Sequence, residues 1–384
     1  MKKGWQRKPI GELCEVIAGQ SPEGKFYNSE GKGMPFYQGK KDFGERYIEE
    51  PRTWTTQVTK IAQEGDILMS VRAPVGPVNI ATDEICIGRG LAAIRTSPVL
   101  DRDFLYYQIL HLQPEIAGKE GAVFASINKA DIEAIPIAVT SLPEQKRIVG
   151  ILDEAFESVA TAKANAEKNL QNARAFFESH LHSVLSQRGE GWVDRKLGDV
   201  CQTGAGGTPL KSKKEYYEGG NIPWLMSGEV SQGEVVAATK FITNKGLAKS
   251  AAKLFPKDTV LVAMYGATAG QVGILRFEAA TNQAVCGIFP NDQFVPEFIF
   301  YVLLSRKQEL IDQATGNAQP NISQIKIRNT TIPVCPLGDQ RRLVALLDSL
   351  SNGCEQLEVL YQRKVEELGA LEKSLLHHAF TGQF

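Results

Sequence analysis

The apolar residues between Ser141 and Gly189 recur every three, four or seven positions. This spacing keeps them on one face of an α-helix, and Gly189 can end the helix because glycine readily adopts the left-handed conformation needed there. The pattern predicts one uninterrupted helix, far longer than the mean helix of about 11–12 residues. Its apolar stripe comprises Ile148, Leu152, Phe156, Val159, Ala166, Leu170, Ala173, Phe177, Leu181 and Val184.

A second segment near the end of the chain carries a similar stripe. In it Gln340 takes the place of Gln145, and Asp348 takes that of Asp153. A stripe of this length needs another helix along it, so we expect the two segments to pack together, antiparallel because the chain must return. Two long helices covered by different surfaces remain the alternative. The second stripe comprises Leu343, Leu347, Leu350, Cys354, Leu357, Tyr361, Val365, Leu368, Leu371 and Leu375.

The internal repeat extends to the regions between the helices. The segment that begins at Trp5 aligns with the one that begins at Trp192. Short apolar runs separated by glycine-containing turns predict strands. One such segment begins at Gly65 and its counterpart in the second repeat begins at Lys257, so these two residues are expected to occupy equivalent positions. The sequence therefore predicts an α+β protein with pseudo-twofold symmetry. Its similar domains are residues 1–141 and 190–336, and its long antiparallel helices are residues 142–189 and 337–384.

The composition is that of a soluble globular protein, with 43% hydrophobic and 23% charged residues. No run of about 18 apolar residues suits a membrane, and no apolar segment follows the first basic residues as in a signal peptide, so we expect a cytoplasmic protein. The six cysteines form no C-x-x-C pair, which argues against a disulfide framework and a zinc site. With a net charge of −1, a DNA-binding face requires local segregation of charge.

The sequence contains no recognisable active site. The segment GQSPEGK fits the phosphate-loop pattern, but Phe26 stands where a serine or threonine would bind magnesium. Paired catalytic carboxylates, a nucleophile elbow, H-E-x-x-H and the Asn/Asp-Pro-Pro-aromatic tetrapeptide of an adenine methylase do not occur. We therefore predict no catalysis by this chain, and neither a cofactor nor a metal.

Basic and amide-bearing loop segments interleaved with aromatic residues occur in both repeats. Lysine and arginine can bind phosphates, and arginine, asparagine and glutamine can contact base edges through two hydrogen bonds. Any single surface lysine is more simply solvated, but the recurrence of the segments favours a DNA-binding role. The candidate DNA-binding residues are Lys40, Lys41, Arg46, Arg72, Arg89, Thr208, Lys211, Lys213, Lys249, Tyr265, Asn282 and Gln283.

Together these motifs resemble the specificity subunit of type I restriction-modification systems. The resemblance is carried by LPEQKRIVGILD and PLGDQRRLVALLD at the helix starts, by GGTPLKSKKEYYEGGNIPWL, VAMYGATAG and NQAV in the second repeat, and by SLLHHAFTG. It implies two target-recognition domains that each bind half of a split, asymmetric site in double-stranded DNA. The first repeat departs from the motifs usual in this family, because Arg89 stands where the NQ pair would be expected.

The resemblance also implies protein partners, namely two modification (adenine methyltransferase) subunits and restriction/translocase subunits. The long helices would act as the spacer between the two domains and would dock these subunits. The residues implied in docking are Gln145, Arg147, Gln340 and Arg342. The helix faces opposite the apolar stripes carry polar residues, and among these Lys163, Arg174 and Glu358 are expected to point outward.

Three other functions remain open. A DNA methyltransferase with its own active site is disfavoured by the missing motifs. An orphan DNA-binding protein without a restriction role, or a coiled-coil scaffold that binds no DNA, would explain the helices. The scaffold does not explain the repeated basic loops.

Overall fold

The chain forms two compact units. The structure, a computed structural model, describes residues 4–118, 126–314 and 321–381. Unit 1 comprises Met1–Glu167 and Gln362–Phe384, and unit 2 comprises Lys168–Tyr361. Each unit thus contains one α+β domain of the repeat and part of both long helices, whereas the sequence division treats each helix as a separate segment. Residues 382–384, which that division assigned to the last helix, lie outside the described residues.

Unit 1 contains the first eleven strands. Its helices are α1 (Arg102–Ile116), α2 (Lys129–Glu133) and the first part of α3 (Leu142–Ser186). The strands are β1 (Gln6–Pro9), β2 (Cys14–Ala18), β3 (Tyr27–Asn28), β4 (Met34–Tyr37), β5 (Trp54–Thr55), β6 (Ile61–Ala62), β7 (Ile67–Ser70), β8 (Val78–Ile80), β9 (Ile85–Ile87), β10 (Leu91–Thr96) and β11 (Pro136–Val139).

The central strand of unit 1 is β7, which is buried on both faces. It lies in a sheet of order β2-β10-β7-β8, beside a second sheet of order β3-β5-β4-β9-β6 and the pair β1-β11. Successive side chains of a strand point to opposite faces. Ile67 and Met69 accordingly pack in one core with Phe104 of α1, while Leu68 packs in another core with Ile87. A continuous apolar run, rather than an alternating one, is what such a doubly covered strand requires.

Unit 2 contains the remaining strands. Its helices are α4 (Leu197–Val200), α5 (Asn244–Ala248), α6 (Pro296–Ser305), α7 (Lys307–Asp312), α8 (Gln324–Asn329) and the first part of α9 (Leu337–Thr381). The strands are β12 (Val193–Lys196), β13 (Thr203–Ala205), β14 (Ile222–Leu225), β15 (Glu234–Val235), β16 (Phe241–Ile242), β17 (Leu254–Phe255), β18 (Val260–Ala263), β19 (Val272–Leu275), β20 (Ala279–Thr281), β21 (Val285–Ile288) and β22 (Thr331–Val334).

The sheets of unit 2 repeat those of unit 1. The order β13-β21-β18-β19-β15 corresponds to β2-β10-β7-β8 with one added edge strand, and β12-β22 corresponds to β1-β11. The α+β class expected from the sequence is therefore confirmed. The expected match of Gly65 with Lys257 is wrong by one residue, because Asp258 takes the place of Gly65. Both have a positive φ, 84° and 67°, and both precede a central strand.

The two long helices run in opposite directions within each unit. In unit 1, Lys163 of α3 forms a 3.2 Å salt bridge with Glu372, and in unit 2 Arg174 forms a 2.8 Å salt bridge with Glu358. In unit 1 the earlier residue Leu152 shares a core cluster with the later residue Ala379, and in unit 2 the later residue Leu181 shares one with the earlier residue Leu347. Together with the salt bridge of each unit, these clusters confirm the antiparallel arrangement. Lys163, Arg174 and Glu358, which are expected to point outward, remain partly exposed, with 62% of the Arg174 side chain accessible, and they also link the two helices to each other.

Candidate nucleic-acid interface

A cleft at the strand ends of unit 1 gathers three of the predicted DNA-binding side chains. Lys40, Arg72 and Arg89 line it, together with Ser21 and Gln38, and its volume is about 430 Å³. Lys40 follows β4, Arg72 follows β7 and Arg89 lies in the turn between β9 and β10. The neighbouring ends of these strands therefore bring together residues that are far apart in the sequence. We call this site the first cleft.

Two glycines allow the backbone segments of the first cleft to approach closely. A Cβ atom at Gly19 would lie 2.2 Å from the carbonyl oxygen of Gly88, and one at Gly90 would lie 2.3 Å from that of Gln38. Any side chain at either position would push the strand ends apart. The turn is further held by Ser21, whose hydroxyl accepts a 3.1 Å hydrogen bond from the backbone N–H of Arg89.

The cations of the first cleft have no acidic partners among the described residues. Lys40, Lys41, Arg72 and Arg89 are exposed, and none of them forms a salt bridge with a described carboxylate. Their charges are thus available to an anion such as a phosphate. Lys41 lies beside Lys40 but does not line the cleft.

Arg46, the remaining candidate of unit 1, is partly buried, with 26% of its side chain exposed. Its guanidinium bonds the carboxylates of Asp103 at 2.9 Å and Asp153 at 2.8 Å, and it lies 5.3 Å from the ring of Tyr107. Burial by itself lowers the pKa of Arg46, but the hydrogen bonds with Asp153 and Asp103 raise it above its ordinary value. Because its charge is already neutralised inside the unit, the predicted DNA contact of Arg46 is corrected to a structural role.

The corresponding loops of unit 2 place different side chains at equivalent positions. The N–H of Val71 donates to the carbonyl of Gly90, and the N–H of Met264 donates to the carbonyl of Ala284. Val71 therefore corresponds to Met264 and Gly90 to Ala284, and the neighbours of these residues correspond in the same way. By this register Tyr265 takes the place of Arg72, Gln283 that of Arg89 and Thr208 that of Ser21. The hydroxyl of Thr208 donates to the side-chain oxygen of Gln283.

A second cleft of about 490 Å³ lies beside this row in unit 2. Lys211 lines it together with Lys240, Tyr217, Trp224 and Met226, and Met226 occupies the position that Gln38 has in unit 1. The cleft offers basic and aromatic side chains for a phosphate or an unstacked base.

Three further candidates of unit 2 do not line the second cleft. Lys213 and Lys249 are exposed outside it. Asn282 is only 6% exposed, and its side-chain oxygen accepts a 3.1 Å hydrogen bond from the N–H of Ala284. Asn282 therefore stabilises the turn that presents Gln283, and its predicted contact with DNA is corrected accordingly.

The two glutamines predicted to dock other subunits are fully buried. The side-chain oxygen of Gln145 accepts from the N–H of Asp101 at 2.7 Å, and its amide donates to the carbonyls of Val99 and Thr140. Gln340 makes the same three bonds in unit 2, with Val295, Gln293 and Cys335. Because neither side chain reaches the surface, their predicted docking role is corrected. Each fastens the start of a long helix to its own domain.

Arg147 and Arg342, the other two predicted docking residues, are exposed. Arg147 pairs with Glu144 at 2.7 Å, and Arg342 pairs with Asp339 at 2.8 Å, each one turn earlier in the helix. Exposed salt bridges of this kind contribute little to stability, so Arg147 and Arg342 both remain accessible to a partner.

An apolar groove on the long helices of unit 2 was not foreseen from the sequence. Its volume is about 500 Å³, and Phe176, Leu346 and Leu357 along it are 49%, 50% and 43% exposed. Large apolar side chains exposed along one groove are typical of interaction surfaces. The sequence signal is that Phe176 and Leu346 fall outside the buried stripes although they are apolar. We call this surface the helix groove.

Within the described ranges, no group of three or more histidine, cysteine or acidic residues is placed to hold a metal ion. Burial raises the pKa of the Cys14 thiol to about 12, and that of Cys286 also to about 12, so neither is a ready nucleophile at neutral pH. No helix in the described part of the chain has the length and apolar character needed to cross a membrane.

Two curated relatives are similar to this chain. The putative type I restriction enzyme MjaX specificity subunit of Methanocaldococcus jannaschii is 38% identical over 188 residues, which cover 45% of this chain and 44% of that protein. The EcoR124I/EcoR124II specificity subunit of Escherichia coli is 27% identical over 275 residues, which cover 68% of this chain and 66% of that protein. The chain thus matches about half to two thirds of the length of these relatives.

Two solved structures have the same fold. A chain from a type I R-M system, solved to describe its assembly and conformational transition, gives a TM-score of 0.83 at 20% identity, covering 99% of this chain and 98% of that one. The HsdS subunit from Thermoanaerobacter tengcongensis gives 0.63 at 20% identity, covering 100% and 98%. Finally, the model of the type I restriction modification DNA specificity domain matches residues 2–171 and again residues 189–367. Because these two matches cover most of the sequence, the chain belongs to the family of type I restriction-modification DNA specificity domains.

Proposed function

We propose that this chain is the specificity subunit of a type I restriction-modification complex, and that it binds a bipartite, asymmetric site in double-stranded DNA. The observation that carries the proposal is the pair of equivalent loop sets. Both are built on the same strand ends, and they present different polar side chains. Family membership supports the same conclusion.

The side chains at the equivalent positions differ in the bases they suit. Arg89 can donate two hydrogen bonds to guanine, whereas the amide of Gln283 can both donate to and accept from adenine. Arg72 adds a second guanidinium in unit 1, where Tyr265 stands in unit 2. Each unit therefore recognises its own half-site, and the complete site is asymmetric. Lys40, Lys41, Lys211, Lys213 and Lys249 supply phosphate contacts that position the duplex.

The chain itself supplies recognition and assembly rather than chemistry. Two modification subunits carry out methylation, and restriction/translocase subunits complete the complex in the cytoplasm. The helix groove supports docking on α3 and α9, because its exposed apolar side chains gain stability when a partner covers them. Arg147 and Arg342 offer charged contacts beside the helix starts. As each long helix belongs in part to both units, the pair also serves as the spacer between half-sites.

The proposal is tested by mapping methylated adenines in cells that carry the modification subunit with or without this chain. We expect one two-part, asymmetric motif to be methylated only when the chain is present. The purified chain alone should turn over neither S-adenosylmethionine nor ATP. Methylation of the same motif without the chain, or turnover by the chain alone, would show that the assignment is wrong.

Docking on the helix groove is tested separately with Leu346→Glu. A charge placed among apolar side chains must be desolvated when a partner covers it, so the affinity for the modification subunit should fall at least about tenfold. The matched control is Val236→Glu, since Val236 is 67% exposed in the same unit but lies outside the groove. Equal affinities of the two variants would remove the groove from the docking surface.

A further inference from the structure

An arginine holds together three elements of unit 1. Arg46 inserts its guanidinium between Asp103 of α1 and Asp153 of α3, at 2.9 Å and 2.8 Å. The hydroxyl of Tyr107 donates a 2.6 Å hydrogen bond to the same Asp153, and the rings of Tyr106 and Tyr107 lie 5.5 Å and 5.3 Å from the guanidinium. The site therefore combines two carboxylates with an aromatic pair, a combination suited to arginine.

In unit 2 the position of Arg46 is occupied by Gly233. Ile80 and Ile274 are equivalent, because they pair with the first residues of the central strands β7 and β18. The N–H of Ile80 donates to the carbonyl of Arg46, and that of Ile274 donates to the carbonyl of Gly233. A Cβ atom added at Gly233 would meet no other atom within 4 Å, so this position faces open space.

The groups that bind the arginine in unit 1 are nevertheless present in unit 2. Tyr301 donates a 2.6 Å hydrogen bond to Asp348, as Tyr107 does to Asp153, and Glu297 stands in place of Asp103. The rings of Phe300 and Tyr301 form an edge-on pair at 5.1 Å, like Tyr106 and Tyr107 at 5.7 Å. Unit 2 thus keeps the groups that surround the guanidinium in unit 1, but Glu297 pairs there with Arg276, and no arginine stands at the position of Arg46.

The resulting cleft has a volume of about 580 Å³ and an acidic lining. Glu234, Glu297, Asp348 and Glu355 line it, against the single cation Arg276. We call it the acidic cleft.

Arg276 neutralises only one side of the acidic cleft. It pairs with Glu297 at 2.8 Å and with Glu234 and Asp258, but no described basic residue forms a salt bridge with Asp348 or Glu355. Asp348 accepts the hydroxyl of Tyr301, and Glu355 accepts the hydroxyl of Ser351 at 3.2 Å. The side of the acidic cleft formed by α9 therefore carries negative charge that no basic side chain in the described part of the chain pairs with.

We propose that the acidic cleft of unit 2 receives an arginine side chain from a protein subunit that binds beside it. The guanidinium lies between Asp348 and Glu355, against the rings of Phe300 and Tyr301. Asp348 is the counterpart of Asp153, which Arg46 binds in unit 1, and Glu355 serves as the second carboxylate because Glu297 is already paired with Arg276. Arginine suits the acidic cleft better than lysine does, because its planar guanidinium can donate hydrogen bonds to two carboxylates while it stacks on an aromatic ring. This inference rests on the proposed function, which supplies such a subunit.

The occupant is identified by cross-linking in the complex of this chain with its modification subunit. Gln232, which lines the acidic cleft, is replaced by the photo-crosslinker p-benzoylphenylalanine. The matched control places the same group at Glu45, which precedes Arg46 as Gln232 precedes Gly233. We expect a cross-link from position 232 to an arginine-containing peptide of the partner, and none to such a peptide from position 45. Cross-links that stay within this chain would overturn the proposal.

Affinity measurements on the same complex separate charge from folding. Asp348→Asn keeps an acceptor for Tyr301 and removes the charge, while Glu355→Gln changes an exposed side chain. Each should lower the affinity for the modification subunit about tenfold or more, whereas Asp153→Asn, at the site that Arg46 already fills, should not. Unchanged affinity for both unit 2 variants would overturn the inference.

The remaining outcomes are distinguishable. If both variants bind the subunit like the wild type but lose binding of spermidine, the occupant is a free polyamine and the proposal is wrong. If the wild-type chain does not assemble with the modification subunit at all, the proposed function fails, and this inference fails with it.

Discussion

Units 1 and 2 share their strand order and their interior polar contacts, but they differ at the surfaces that meet other molecules. Gln145 and Gln340 make the same three hydrogen bonds. The loops, in contrast, present Arg89 in one unit and Gln283 in the other. The buried glutamines common to the repeats hold the start of each long helix, whereas the exposed loop residues that differ are those that we propose for separate half-sites.

The largest effect is expected from the shared interior contacts. Gln340→Leu fills a similar volume but leaves the buried carbonyl of Cys335 and the part-buried N–H of Val295 and carbonyl of Gln293 without their partner. A buried unsatisfied group costs about 1–3 kcal/mol and a part-buried one less, so the free energy of unfolding of unit 2 should fall by about 2–3 kcal/mol. Hydrogen exchange resolved by unit measures the loss.

Gln145→Leu should have the same effect in unit 1. The control Gln356→Leu changes an exposed glutamine of the same helix as Gln340 and should be nearly neutral. A loss for Gln356→Leu as large as that for Gln340→Leu would contradict the assigned role of the buried bonds.

The second effect concerns base discrimination at the equivalent loop positions. Arg89→Gln should replace the preference for guanine by a preference for adenine at one position of one half-site. The free-energy difference between the two bases at that position should change by about 1–3 kcal/mol. Gln283→Arg should do the reverse in the other half-site. Competition binding of the assembled complex with duplexes that differ at one base pair measures both changes. Unchanged preferences at every position would exclude these two side chains from base contact.

Removal of the partly buried arginine should have a smaller effect. Arg46→Met removes the basic partner of Asp153, whereas Asp103 keeps its 2.8 Å salt bridge with Arg102. Because the exposed fractions of the Asp103 and Asp153 side chains are 21% and 43%, solvent screens the interaction and the expected destabilisation of unit 1 is about 1–2 kcal/mol.

The same variant tests whether Arg46 contacts DNA. Half-site preference and the salt dependence of DNA binding should both stay unchanged. In contrast, Lys41→Ala should reduce the slope of log affinity against log salt by about one. A reduced salt slope for Arg46→Met would return this residue to the DNA interface.

The smallest effect is a pH dependence confined to unit 1. Burial and the neighbouring His377 lower the pKa of His111 below its ordinary value of 6.5, while Glu115 opposes them. The folded unit therefore binds fewer protons than the unfolded chain, and its stability should fall as the pH falls below about 6.5. The position of His111 in α1 corresponds to Ser305 in α6 of unit 2.

Denaturation of wild type and His111→Phe at pH 7.5 and 5.5 isolates this contribution. The wild type should lose more stability than the variant over this range. An identical loss would assign the pH dependence to other groups.

Much of the fold could be predicted from the sequence because the long helices have a sustained apolar period. Leu152 and Leu347, taken from the two predicted stripes, are both fully buried. The register of the short strands could not be predicted, since it depends on hydrogen bonds between distant segments. This is why Gly65 was matched with Lys257 rather than with Asp258.

The candidate site was predicted in part. Lys40, Arg72 and Arg89 are three of the predicted DNA-binding residues of the first domain, and they line one cleft, although their contact with DNA stays a prediction. The structural role of Arg46 could not be foreseen, because Asp153 lies far along the chain. The repetition of Gln145 at Gln340 was visible in the sequence, but a repeated polar residue can serve either a surface or an interior, and burial alone distinguishes them.

The division of recognition between the units is tested most directly by mapping methylated sites in cells that express the complex with either Arg89→Ala or Gln283→Ala. Each variant should relax the sequence requirement in one half of the motif and leave the other half and the spacing unchanged. The two variants should affect opposite halves. If either variant relaxes both halves equally, or if both relax the same half, the two units do not recognise separate half-sites.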